Sequence, residues 1–125
     1  MQTVDPKLVR PVSAEVTYPG TWLAIKLGLE PRELDRLRRA GEYVAVRASG
    51  GRETEYLYPA WQLYAAGHPL PGVSELARAA RERGLDDGQL AALMLRREGL
   101  TGSTRLADAF RAGHTERVLA AVRSD

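Results

Sequence analysis

Between residues 20 and 41 the chain sets two short helical patterns on either side of a glycine, and no other stretch limits its folding so much. Thr21 can cap a helix over residues 21–27, and Gly28 can end it by turning left-handed. Glu30-Pro31 opens a second helix, with proline at the first helical position, where its missing N–H costs nothing. That helix is expected to run to Ala40 and to stop at Gly41. Leu23, Leu27, Leu29, Leu34 and Leu37 supply the apolar sides, and Ala24 suits a crossing too close for a larger residue. Two short helices around a tight glycine turn make a helix-turn-helix.

The second helix carries a distinctive face. At about 100° per residue, Arg32, Arg36 and Arg39 fall within roughly 60° of one another. Leu34 and Leu37 lie on the other side, toward the core. An arginine stripe opposite a leucine stripe suits a helix lying on DNA. The alternative is a solvated amphipathic face on which Glu33 and Asp35 pair with neighbouring arginines.

Residues 42–63 link this unit to the rest. Tyr43, Val44 and Val46 form a β-rich run, Ser49-Gly50-Gly51 is a turn signal, and residues 53–58 form a second run. Together they read as a β-hairpin that leaves the ribbon at Pro59. A lone hairpin is marginal in water and has to pack on helices. Its place after the two helices gives a winged-helix or MerR/excisionase-like order, with Arg47 and Arg52 on the wing as further DNA contacts. Trp61 is expected to anchor the joint between the halves, against the hairpin and Trp22 or Tyr64. Ahead of all this, Val12, Ala14, Val16 and Tyr18 alternate loosely; they form either a strand pairing with the hairpin or an extended arm.

Beyond the loop at residues 67–72 the patterns are helical. Residues 73–83 form one helix stopped by Gly84, and Asp86-Asp87 can cap a second that carries Leu90, Leu93 and Met94. Residues 99–104 are a turn-rich break. Residues 106–111 and 115–123 are two more helices, the last turning Val118, Leu119 and Val122 inward and Glu116, Arg117 and Arg123 outward. This half is expected to be wholly helical and to pack as a small bundle. The fold class is therefore mainly α with a β-hairpin (α+β). Its regions are an arm or strand at 1–19, a helix-turn-helix with hairpin at 20–66, and a helical domain at 67–125.

Composition narrows the function classes. With no cysteine there is no disulfide framework, thiolate metal site or cysteine nucleophile, and a cytoplasmic location is the natural expectation. The net charge of +2 leaves nucleic-acid binding to the placement of arginines rather than to their excess. No apolar run is long enough for a membrane span. His68 and His114 stand apart in loops without metal-ligand spacing, and residues 99–104 lack the lysine and preceding strand of a phosphate loop. No catalytic residue, metal ligand or cofactor is expected, and the chain is not read as an enzyme.

Three fragments carry a family resemblance: Tyr58-Pro59-Ala60-Trp61-Gln62-Leu63 with the Pro-Gly loop after it, residues 100–110 from Leu100 to Phe110, and residues 113–119 from Gly113 to Leu119. In these the C-terminal half resembles the toxin-binding domain of Xre/MbcA/ParS-type antitoxins, partners of RES-domain toxins. Arg105 stands before Leu106 where that family often has proline, and the N-terminal half is not a standard Xre domain. The resemblance implies a homodimeric antitoxin that represses its own promoter and neutralises an NAD-consuming toxin. It places the toxin contact on the last helix, through Arg117, Val118, Leu119, Val122 and Arg123, with the chain end reaching into the partner. The competing expectations are a stand-alone MerR/excisionase-like DNA-binding regulator and a protein-interaction module that never touches DNA.

Overall fold

The computed structural model describes residues 16–48, 56–64, 66–98 and 104–124. Helix α1 spans Gly20–Leu27 and α2 spans Pro31–Arg39. Gly28 between them takes φ 70°, a left-handed conformation that only glycine adopts without strain. The turn closes when the Leu29 N–H donates to the Ala24 carbonyl at 2.9 Å. Ala24 is buried, as expected of a small residue at this crossing. The start of α1 differs from expectation. The chain enters the helix directly from a paired strand, so extended Pro19 holds the N-cap position and Thr21 is left exposed in the first turn. At the start of α2 the Glu30 N–H donates to the Glu33 carboxylate at 3.1 Å, which satisfies one orphan donor.

Strands β1 (Thr17–Pro19), β2 (Val46–Arg47) and β3 (Tyr56–Pro59) form an antiparallel sheet in the order β1-β3-β2. Tyr18 lies opposite Tyr58, and Val46 opposite Leu57. The loosely alternating N-terminal stretch thus does pair with the hairpin over residues 17–19. The first hairpin strand is shorter than expected because Val44 takes another partner. The Gln62 side chain accepts the Val44 N–H at 2.7 Å and donates to the Val44 carbonyl at 2.7 Å, standing in for a neighbouring strand. The expected turn at Ser49-Gly50-Gly51 lies outside the described residues.

After a 3-10 turn at Ala60–Gln62, the C-terminal half contains α3 (Val73–Glu82), α4 (Asp87–Met94), α5 (Leu106–Arg111) and α6 (Thr115–Ser124). Asp86 caps α4 by accepting the Gln89 N–H, while the Gln89 side chain accepts the Asp86 N–H. This half is not wholly helical. Strands β4 (Arg97–Glu98) and β5 (Thr104–Arg105) pair on either side of the turn-rich stretch, because residues around a break can satisfy their backbone groups with each other once the ends of α4 and α5 bring them together. Gly72 opens α3 at φ 98°, and a Cβ there would stand 2.8 Å from Thr115 Cγ2. Glycine is what lets the start of α3 approach α6.

Two apolar clusters result. One joins Leu23, Leu34, Tyr43, Tyr58 and Leu63 under the helix-turn-helix. The other fills the helical half around Leu76, Leu90, Met94, Phe110 and Val118, and it takes in Val44 and Trp61 from the linking stretch. The chain is mainly α with a small antiparallel sheet, an α+β fold. Among the described residues no helix is long and apolar enough to cross a membrane.

Candidate nucleic-acid interface

Burial of Leu34, with Leu37 partly buried, fixes the rotation of α2 and turns Arg32, Arg36 and Arg39 to solvent. These three form one exposed stripe, as their spacing requires. Among the described residues Arg32 and Arg36 make no ion pair, so both guanidinium groups are open to an anionic partner. Arg39 pairs with Asp35 one turn earlier. Arg47 is exposed on β2, with its guanidinium carbon 5.9 Å from the Tyr56 ring. Arg52, the other expected wing contact, lies outside the described residues.

Arg38 has a different place. It is half-buried, bonds Asp35, and lies 4.0 Å above the Tyr56 ring of β3. Hydrogen bonding from Arg38 holds the Asp35 carboxyl below its ordinary value, against the opposite pull of desolvation. Burial works against the Arg38 charge, but the bond and charge of Asp35 outweigh it and raise its pKa. The Asp35–Arg38–Tyr56 chain therefore ties the helix to the β1-β3-β2 sheet. The spacing of Asp35 to Arg38 and Arg39 marks the ion pairs in the sequence, but nothing local marks Tyr56 as the surface beneath.

The C-terminal half holds the other end of α2. Arg81 of α3 donates to the Arg39 carbonyl at 3.1 Å and to the Arg38 carbonyl at 3.3 Å. A cation on these last carbonyls also suits the negative end of the helix dipole. Asp87, at the start of α4, accepts the Ala45 N–H at 3.1 Å. Both contacts run across more than forty residues of sequence, so no local pattern announces them.

Trp61 is buried at the joint, as expected, but its partner differs. Its ring meets Phe110 of α5 edge-on, at 5.7 Å between centroids and 86° between planes. Tyr64 packs at the edge of the same cluster. Trp22 does not take part. It is 39% exposed and stacks on Tyr18 at 4.3 Å, because the burial of Leu23 and Ala24 turns position 22 outward.

The expected partner surface on α6 needs a larger correction. Val118, Leu119 and Val122 are buried against the rest of the bundle, with at most 4% of any of them exposed. Apolar side chains at this spacing are used to hold α6 on α3 and α5, so they cannot also face a partner. Only Arg117 and Arg123 of the expected contacts are exposed. His68 and His114 are exposed in loops.

No protein-family model matches the chain, and no curated protein matches it. Among solved structures, the NMR structure of Rv2175c resembles it with a TM-score of 0.73, over 99% of this chain and 85% of that one, at 21% sequence identity. A likeness at that identity speaks for the fold: the same arrangement of elements is built from a largely different set of side chains.

Proposed function

We propose that the chain is a DNA-binding regulator of the helix-turn-helix class, acting at its own operator, with α2 in the major groove and the β2–β3 ribbon beside it as a wing. The observation that carries this reading is the exposed Arg32, Arg36 and Arg39 stripe on the second helix of the motif, backed by buried Leu34. The major groove admits one α-helix, and arginine can bind phosphate or the O6/N7 edge of guanine through two parallel bonds. A net charge of only +2 gives little general attraction to a polyanion, so binding depends on where these charges stand. Toxin neutralisation is left outside this reading, because three of the residues expected to carry it are internal.

The test is a gel-shift titration of Arg32→Ala/Arg36→Ala/Arg39→Ala against the protein's own upstream sequence. Affinity should fall on the order of 100-fold or more at moderate salt, and each lost phosphate contact should lessen the salt slope by roughly one. All three positions are exposed, so the fold should survive. Unchanged affinity would rule out this face.

A further inference from the structure

Beside the arginine stripe stands the Asp35 carboxylate, and its two oxygens are used unequally. Asp35 Oδ1 accepts from Nε of Arg38 at 3.1 Å and also from its Nη2, while Oδ2 accepts from Nη2 of Arg39. Arg38 has a side chain only 16% exposed and is held from beneath by the Tyr56 ring. Arg39 is 72% exposed, and among the described residues no ring lies beneath it. The first bond is thus built into the fold, while the second is an exposed pair of the kind that a competing anion readily replaces. On the helix, Asp35 lies about 40° from Arg39 and about 60° from Arg32, on the sheet side of the stripe.

We propose that Asp35 is a specificity-determining residue that holds Arg39 back from indiscriminate phosphate binding. It rests on the DNA-binding reading above. Arg38 and Tyr56 keep the carboxylate in place, and the carboxylate competes with DNA for Arg39. A duplex that merely offers phosphates has to displace Asp35 and meets its negative charge as well. A correctly registered site offers Arg39 a better acceptor, either a phosphate at the right height or a guanine edge bound through two bonds. The carboxylate lowers affinity for both kinds of DNA, and lowers it more where no such acceptor waits.

The test measures fluorescence anisotropy of a labelled random-sequence duplex at low salt, with the unaltered protein, Asp35→Asn, Arg39→Ala and the double variant. Asparagine keeps an acceptor for Arg38 and removes the charge. Asp35→Asn should bind the random duplex roughly three- to tenfold more tightly. In the Arg39→Ala background the same change should gain less than about twofold, since the released group is gone. Equal gains in both backgrounds would mean a plain charge effect and overturn the proposal, as would unchanged or weaker binding by a folded Asp35→Asn. If the unaltered protein binds no duplex at all, the DNA-binding reading falls, and this proposal with it. If it binds while Asp35→Asn matches it, only the role of Asp35 falls. Should Asp35→Asn not fold, the arginine Nε resonances of the unaltered protein decide: on adding duplex, that of Arg39 should shift while that of Arg38 stays. Both moving, or neither, overturns the proposal.

Discussion

The helix-turn-helix half and the helical half bury their interiors with different materials. Beneath α1 and α2 the core leans on tyrosine: Tyr43 and Tyr58 meet edge-on at 6.0 Å, and Tyr43 donates its hydroxyl to the Gly67 carbonyl at 3.1 Å. The C-terminal core is aliphatic and alanine-rich, with α3 alone burying Leu76, Ala77, Ala79 and Ala80. Small residues let helices close on one another without side-chain polar atoms to satisfy. The tyrosine core fills the gap between two short helices and a short sheet, where few aliphatic positions exist. The halves are also unequal in dependence. Val44 is packed into the C-terminal cluster, and Arg81 and Asp87 reach back to hold α2 and Ala45. The half that carries the arginine stripe is positioned by the half that does not.

The strongest attempt to break this picture is Trp61→Ala. Trp61 is about as buried as any side chain here and belongs to the C-terminal cluster while sitting on the segment that links the halves. The substitution should cost about 3–5 kcal/mol, a large share of the roughly 5–15 kcal/mol typical of a domain. Amide exchange should show protection lost in α2 as well as in α3. Loss confined to α3 would mean that the N-terminal half stands alone.

A second measurement sharpens the contrast between the cores. Burial pushes the phenols of Tyr43 and Tyr58 up to about 12 from an ordinary value of 10.0. The folded state therefore keeps these protons longer than the unfolded chain does. Their contribution is complete below about pH 10 and is lost as pH rises from about 10 to about 12. A shift of this size corresponds to about 2–3 kcal/mol per tyrosine. Urea midpoints should fall across that interval in the unaltered protein and much less in Tyr43→Phe/Tyr58→Phe. An equal fall in both would place the alkaline sensitivity outside this core.

The smallest expected effect lies at the seam. Gln62→Leu keeps the volume but leaves the N–H and carbonyl of Val44 without the partners that Gln62 supplies. Each buried group left unsatisfied costs about 1–3 kcal/mol, and burying leucine in place of an amide offsets part of it, so the net loss in a denaturant titration should be about 1–3 kcal/mol. The Val44 amide should exchange faster than its neighbours. A neutral result would show that water reaches Val44 and that the seam is looser than its burial implies.

Much of the local architecture could be read from residue order. Glycine at 28 and proline at 31 bracket the turn, and the spacing of leucines and arginines sorts α2 into an inner and an outer face. Residues 106–111 form the helix expected of them. These features depend on backbone preferences and on helical period, which act within a few residues. The same period also turned Val118, Leu119 and Val122 inward. Assigning them to a partner as well asked one apolar stripe to serve two surfaces.

What the sequence by itself determined is therefore the helix-turn-helix, the arginine stripe and the helical run that follows. Only the tertiary structure decided how α2 is held. Tyr56 lies under Arg38, Arg81 caps the last carbonyls of α2, and Gln62 takes the place of a strand beside Val44. Each of these joins residues eighteen or more positions apart. Hydrogen bonds and ring contacts of that span form only after the chain has closed the loops between them, so no preference of the local backbone can foretell them.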